Sequence, residues 1–155
     1  LQAMNTGHDG SLTTIHANSA QDALSRMEMM VAMTGYEVPV TVIREYIASG
    51  INLIMHVARL AGGIRRVMQV SEIVFENGNY RIEDIFGFEQ TGVDNDGVAV
   101  GEFYTTGHKP SCLQRIQAAG VTLSEDLFRP QRFACANDPT HAGHGVNAQA
   151  IYVTR

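Results

Sequence analysis

The segment NTGHDGSLTTIHANS, residues 5–19, determines the fold prediction for this chain. Residues 11–16 are rich in β-branched side chains, which predicts a short strand that ends at His16. Ser19 follows and is a residue type that caps the N-terminus of a helix. A polar loop, a strand that ends in histidine and a helix N-terminus are together typical of the ligand-binding edge of an α/β sheet.

Two helices are predicted after this segment. Apolar residues at helical spacing indicate the first helix, which Gly35 ends, and Arg26 is expected to pair with Asp22 one turn earlier. The second helix opens at Pro39 and runs to Ser49. Its buried face is predicted to carry Val40, Ile43 and Ile47, with Gly50 as the C-cap and with Arg44 and Glu45 on the solvated face.

The middle of the chain predicts a β-meander that packs on these helices. Its strands are expected over residues 52–60, 64–75 and 80–86, and Asn77-Gly78 is a strong hairpin-turn signal.

The C-terminal part is predicted to contain an edge strand over residues 98–106 and a short helix over 112–119 that Ser111 caps. Residues 134–155 are rich in Ala, Gly, Asn and His without a clear period, which predicts disorder. The expected division is therefore residues 1–87, 88–133 as an extension, and 134–155 as a tail.

The composition excludes several classes of protein. Apolar content of 45% and charged content of 17% fit a globular domain. A net charge of −5 and a single lysine, Lys109, argue against a nucleic-acid-binding surface. Cys112 and Cys135 form no metal-type or redox-type pair, so a reducing compartment is expected. No apolar run approaches the roughly 20 residues that span a bilayer, and residues 1–4 lack the features of a signal peptide.

Parts of the sequence resemble the bacterial secretion ATPases. Thr13–Ser19, with Gly7–Ser11 before it, resembles the His box of the traffic ATPases of type II and type IV secretion and of pilus assembly. Asp22–Arg26 and Ile51–Ile54 continue the resemblance, which covers most of residues 1–128. The most similar subgroup is the ATPase of the tight-adherence (Flp) pilus.

The resemblance implies an α/β fold: the C-terminal part of a RecA-like P-loop NTPase motor domain, with a β-meander and a short C-terminal helical end. It also implies a homohexamer that binds ATP and Mg²⁺ through a P-loop. Its implied partner is a multi-pass platform protein at the cytoplasmic face of the bacterial inner membrane. Ala20 departs from the family pattern, which usually has Pro there, but both residues suit the first turn of a helix.

The sequence lacks the G-x-x-x-x-G-K-[ST] loop that ATP hydrolysis needs, and Lys109 precedes Pro110 instead. No apolar strand that ends in a Walker B acid is visible either. In the family these motifs precede the His box, and the chain opens with Leu1, so we expect a portion of a longer motor that is inactive alone. The alternative is a non-catalytic truncated paralogue that binds and modulates the secretion hexamer or its platform.

The resemblance also assigns the candidate site residues. It implies that His16 lies near the terminal phosphate of the nucleotide, and that His8 and Asp9 line the same cleft. The alternative is a purely structural role, in which His16 is a histidine at a strand end whose hydrogen bonds are satisfied within the fold.

Arg59, Arg65 and Arg66 flank the Gly62-Gly63 turn, and a guanidinium can bind a phosphate through two hydrogen bonds, including one held by a neighbouring subunit. An ordinary solvated hairpin explains Arg65 and Arg66 equally well. His141 and His144 match no closed zinc pattern, so no metal site is predicted.

Overall fold

The computed structural model describes residues 11–35, 37–135 and 150–154. Its seven strands form one sheet in the order β1-β7-β2-β3-β4-β5-β6. The strands are β1 (Leu12–Ile15), β2 (Leu53–Arg59), β3 (Arg65–Glu76), β4 (Asn79–Val93), β5 (Ala99–Thr105), β6 (Gln131–Ala134) and β7 (Ala150–Thr154). The helices are α1 (Ala20–Ala32), α2 (Val40–Gly50) and α3 (Leu113–Ala118), with 3-10 turns at Ala61–Gly63 and Glu125–Phe128.

The start of α1 forms through local hydrogen bonds, as predicted. The Ser19 hydroxyl accepts a hydrogen bond from the backbone N–H of Asp22 at 3.1 Å. The Asp22 carboxylate in turn accepts from the backbone N–H of Asn18 at 2.9 Å and from Arg26 Nε at 3.3 Å. These bonds satisfy donors that a helix end otherwise leaves exposed.

The core lies between the two long helices and the adjoining part of the sheet. Apolar residues of α1, α2 and β2 make up most of it: Ala20, Ala23, Leu24, Met27, Ile43, Ile47, Ile51 and Ile54. Burying one large aliphatic side chain stabilises a fold by about 1.5–3 kcal/mol, so this cluster fixes the helices to the sheet. The predicted face of α2 is confirmed at Ile43 and Ile47 but not at Val40, which is 49% exposed.

Two details of α2 go beyond the prediction. Gly50 is the last helical residue and Ile51 is the C-cap, so the helix continues one residue further than expected. Arg44, predicted on the solvated face, is partly exposed, and its Nε also contacts Glu28 of α1 at 3.0 Å. Arg44 Nη1 also donates to the Asn79 side chain at 2.7 Å, so this arginine ties both helices to the hairpin.

The predicted β-meander is confirmed as β2, β3 and β4. Asn77 and Gly78 have φ angles of 53° and 80°, the left-handed conformation that a tight hairpin turn requires. β4 extends to Val93, further than predicted, because β5 pairs with its second half.

The prediction of β5 as an edge strand is wrong. β6 pairs with its free side, with Thr105 facing Gln131 and Glu102 facing Ala134, so β6 forms the edge. The four residues of β6 are all exposed, which leaves no apolar pattern that would have predicted this strand.

Residues 134–155 were predicted to be disordered, but residues 150–154 form β7. This strand lies between β1 and β2, and it is antiparallel to both. The intervening residues 136–149 lie outside the described part of the chain. β4 runs through residues 87 and 88 without a break, and the division into domains at that point stays a prediction.

Candidate functional site

His16 follows the last residue of β1 and is exposed at the rim of a cleft between β1 and α1. The cleft has a volume of about 520 Å³. Residues of β1, α1 and three connecting segments line it: Thr13, Thr14, Ile15, His16, Met27, Met30, Val31, Thr34 and Ile51.

The chemistry of this lining is mostly apolar, with threonine hydroxyls and one imidazole as its polar groups. The nearby helix N-terminus is also engaged, since Ser19 binds the N–H of Asp22 and Asp22 binds the N–H of Asn18. The cleft itself therefore suits an apolar group, while His16 at its rim can meet a polar ligand beyond it.

The sheet topology places the arginines at the same edge as His16. β7 is antiparallel to both β1 and β2, so β1 and β2 run parallel and their C-terminal ends coincide. Ile15 and His56 both face Ile151, two strand spacings or about 10 Å apart. Arg59 ends β2 and therefore lies at this edge too, the edge where α/β sheets bind ligands.

The three arginines divide into two groups. Arg59 and Arg65 face each other across β2 and β3, so their side chains share one face of the sheet. Arg66 is the next residue and points to the other face, where its guanidinium carbon lies 6.0 Å from the centroid of Phe88. Arg59 and Arg65 therefore lie together on one face of the sheet, and Arg66 lies near Phe88 on the other face.

The turn between β2 and β3 positions this pair. Gly62 and Gly63 have φ angles of 77° and 79°, and a Cβ on Gly63 would lie 3.1 Å from Arg59 Nη2. The Arg59 guanidinium therefore packs directly on the glycine backbone of the turn.

A second polar cluster, around Glu72 of β3, was not predicted. Glu72 is 4% exposed, and its carboxylate accepts hydrogen bonds from the backbone N–H of Ser111 at 2.7 Å and from the Ser111 hydroxyl. His108 Nε2 lies 2.6 Å from the other carboxylate oxygen. Burial alone would raise the pKa of Glu72, but the hydrogen bonds from Ser111 and His108 outweigh it and hold that pKa below its usual value.

The Glu72 cluster does not form a nucleophile. The Ser111 hydroxyl bonds to Glu72 rather than to the imidazole of His108, so no base is placed to activate it. The prediction that Ser111 caps a helix is also wrong, because Cys112 is the N-cap of α3 and makes no side-chain cap bond. The cluster instead fixes the segment before α3 to β3. The one feature of the sequence that could have indicated this cluster is an acidic residue, Glu72, within an otherwise apolar strand.

The described residues do not provide a complete ATP–Mg²⁺ site. His16, Arg59 and Arg65 offer hydrogen-bond donors and positive charge for a phosphate, but Lys109 lies in the C-terminal extension, 3.5 Å from Glu125. Among the described residues, no group of three or more His, Cys, Asp or Glu side chains is arranged to hold a metal ion. His8, Asp9, His141 and His144 lie outside the described residues. No helix in the part of the chain that the structure describes is long and apolar enough to cross a membrane.

Comparison with known proteins supports the family resemblance. The type II/IV secretion system protein family matches residues 1–95. The conjugal transfer protein TrbB of Rhizobium radiobacter is 37% identical over 91 residues, which make up 58% of this chain and 27% of that protein. A probable conjugal transfer protein TrbB of Sinorhizobium fredii is 39% identical over 85 residues, 54% of this chain and 24% of that protein. A putative conjugal transfer protein of Mycobacterium tuberculosis is 28% identical over 100 residues, 64% of this chain and 28% of that protein.

The matched segment contains β1, His16, both long helices and the meander, so the candidate site lies within a domain of secretion-system ATPases. The chain belongs to the type II/IV secretion system protein family. It spans about a quarter of the length of the curated relatives that it matches.

Proposed function

We propose that this chain is the C-terminal part of a RecA-like motor domain in a hexameric ATPase that powers pilus assembly or protein secretion. The observation that carries the proposal is the family match over residues 1–95, which includes His16 at the end of β1. The site at the C-terminal ends of two parallel strands agrees with it, since nucleotides bind at this edge in open α/β sheets.

In this proposal His16 and the pair Arg59 and Arg65 interact with the terminal phosphate of ATP. Arg59 and Arg65 face each other across β2 and β3, and a guanidinium can bind a phosphate through two parallel hydrogen bonds. His8 and Asp9 belong to the same site. The P-loop and the Mg²⁺ ligands come from other parts of the full-length protein, which acts at the cytoplasmic face of the inner membrane on a multi-pass platform protein.

The first test is His16→Ala in the full-length protein. Loss of one positioned donor at a transferring phosphate lowers kcat by about 10²-fold, so we expect ATPase activity to fall on that scale while the circular dichroism spectrum stays unchanged. Gln21→Ala, an exposed α1 residue away from the cleft lining, is the control and should retain activity. Full activity of His16→Ala would remove His16 from the mechanism.

The arginines offer a matched comparison within the same protein. Arg59→Gln and Arg65→Gln should lower ATPase activity, since each removes positive charge at the sheet edge. Arg66→Gln should leave the kinetics unchanged and reduce stability by about 0.5–1 kcal/mol, because it removes the contact with Phe88. The reverse pattern would show that Arg66 is the phosphate ligand.

A phosphate-release assay with Mg-ATP on the isolated chain tests its dependence on the missing parts. We expect no turnover above the blank, because a lysine-bearing phosphate loop is absent from the sequence. Turnover above the blank would contradict the proposal.

Conjugal transfer is the second candidate function, because the similar proteins carry that name. Deletion of the full-length gene in its host distinguishes the two. Loss of surface pili with normal conjugation supports pilus assembly, and the opposite result supports conjugal transfer.

A further inference from the structure

The end of the β2–β3 hairpin that carries Arg59 and Arg65 extends past the regular part of the sheet. The ladder between β3 and β4 begins only at Gln69, so it does not include the rung that the two arginines form. On the β2 side the register shifts between His56 and Val57, and a bulge of this kind twists a strand locally. The ladder with β4 therefore does not fix the orientation of this end.

The turn that closes this hairpin is soft. Gly62 and Gly63 both have positive φ angles, and glycine leaves the backbone more conformational freedom than other residues do. The turn is closed by hydrogen bonds from the Leu60 N–H to the Ile64 carbonyl at 2.8 Å and from the Gly63 N–H to the Leu60 carbonyl at 3.0 Å. Because the Arg59 guanidinium packs on Gly63, a movement of this turn displaces that charge.

The β4–β5 loop, residues 94–98, is stiff by comparison. The Asp94 carboxylate accepts hydrogen bonds from the backbone N–H of Asp96 at 3.0 Å and from that of Val98 at 2.9 Å. The Asp94 N–H donates to the Val98 carbonyl at 2.8 Å, and the Gly97 N–H donates to the Asp94 carbonyl at 3.1 Å. An aspartate that binds the backbone of its own turn in this way fixes the shape of the loop.

Val98 connects the stiff loop to the soft turn. A Cβ on Gly62 would lie 2.8 Å from Val98 Cγ2 and 2.9 Å from Val98 Cα, so the backbone of the turn lies directly against this residue. Val98 lies beyond residue 95, where the family match ends, so the extension supplies this contact. A chain of contacts thus leads from Asp94 through Val98 and the glycine turn to Arg59.

We propose that Val98, held in place by Asp94, is a positioning residue that keeps Arg59 and Arg65 directed at the terminal phosphate of ATP. This inference rests on the proposed function, in which the arginine pair binds that phosphate. A coupling free energy between two sites is reciprocal, so binding of the phosphate stabilises the β4–β5 loop in return. The extension therefore supports the site and responds to its occupancy.

The affinities of the full-length protein for ADP and for a non-hydrolysable ATP analogue test the positioning role. Val98→Gly should weaken binding of the analogue on the order of tenfold, because a displaced guanidinium loses its phosphate contacts, and should leave ADP binding unchanged. Asp94→Ala should act likewise, whereas Asp94→Asn keeps the acceptor oxygen and should bind both nucleotides normally. Val93→Gly, at a β4 residue that is 52% exposed, is the matched control. An equal loss of affinity for ADP in Val98→Gly would overturn the positioning role.

A variant without the arginine pair separates failure of this inference from failure of the proposed function. Arg59→Gln combined with Arg65→Gln should weaken binding of the analogue, and adding Val98→Gly should cause no further loss, since Val98 acts through the arginines. A further loss in the triple variant, or normal binding in Val98→Gly alone, would overturn the positioning role and leave the phosphate role of the arginines intact. Normal binding of the analogue without the arginine pair would overturn both.

Hydrogen exchange measures the reciprocal effect in the unchanged full-length protein. The ATP analogue should slow exchange of the Asp96 and Val98 amides, whose bonds to Asp94 hold the loop, and ADP should not. Exchange that responds equally to both nucleotides, or to neither, would contradict the coupling between this loop and the terminal phosphate.

Discussion

At the scale of single residues, the least expected feature is the buried carboxylate of Glu72. Its partners His108 and Ser111 lie 36 and 39 residues later in the chain. Side chains so distant in sequence meet only when the fold has formed, so local patterns could not predict the cluster. By contrast, Asp22 and Arg26 form the predicted pair one helical turn apart.

Replacing Glu72 with Gln should lower the free energy of unfolding by about 1–3 kcal/mol, because buried donors of Ser111 and His108 lose a charged acceptor. The folded-state pKa of Glu72 is lowered, so its stabilising contribution is full above its unfolded value of 4.5 and is lost as the pH falls through the folded pKa. Urea unfolding at pH 7 and at pH 3 measures the free energy of unfolding of both proteins. The difference between Glu72→Gln and the unchanged chain should be smaller at pH 3.

Glu76→Gln is the control for this experiment, since Glu76 lies on the same strand with 53% of its side chain exposed, paired with Arg81. Such a surface pair contributes about 0–1 kcal/mol. An equal loss of stability in both variants would mean that the buried cluster has no special role.

At the scale of elements, the sequence predicted those that depend on local signals. Ser19 caps the first helix as predicted, whereas the helix ends at Ala32, three residues before the predicted stop at Gly35. Asn77-Gly78 marks the central hairpin. β6 and β7 were missed because their pairing partners are distant in sequence and their own residues lack a clear alternation. At the candidate site, the sequence predicted His16 and the arginines, but only the sheet separates Arg66 from the other two.

Ser19→Ala tests the cap of α1. We expect a loss of about 1 kcal/mol in the free energy of unfolding, because the N–H of Asp22 loses the hydroxyl that accepts its hydrogen bond. Ser25→Ala is the matched control within the same helix, where the hydroxyl only donates back to the Gln21 carbonyl. If thermal denaturation gives both variants the same midpoint, the cap does not stabilise α1.

The turn between β2 and β3 gives a second prediction at this scale. Gly62 and Gly97 have φ angles of 77° and 78°, so alanine meets the same backbone strain at both. A Cβ at Gly62 would also lie 2.9 Å from the Val98 Cα, whereas the space around Gly97 is open. Gly62→Ala should therefore cost about 1–3 kcal/mol more than Gly97→Ala in chemical denaturation. Equal losses would show that this turn and the β4–β5 loop are not in close contact.

At the scale of the whole molecule, the sheet joins the family segment to the residues beyond it. β4 begins in the meander and pairs along its second half with β5, while Glu72 of β3 holds the segment before α3. The family match ends at residue 95, just after β4, so the matched segment and its extension share one sheet. We therefore expect them to unfold together.

Phe128→Ala tests this cooperativity. Phe128 is 6% exposed and stacks on Phe86 of β4 with their ring centroids 5.8 Å apart. Its truncation should lower the free energy of unfolding by about 3–5 kcal/mol, and because the sheet is continuous, hydrogen exchange should rise in β2 and β3 as well as in the extension. Phe133→Ala, at a ring that is 47% exposed, should have a much smaller effect. Hydrogen exchange in Phe128→Ala that increases only in residues beyond 95 would mean that the extension is a separate folding unit. In that case the pairing of β4 with β5 would not transmit stability to the site at His16.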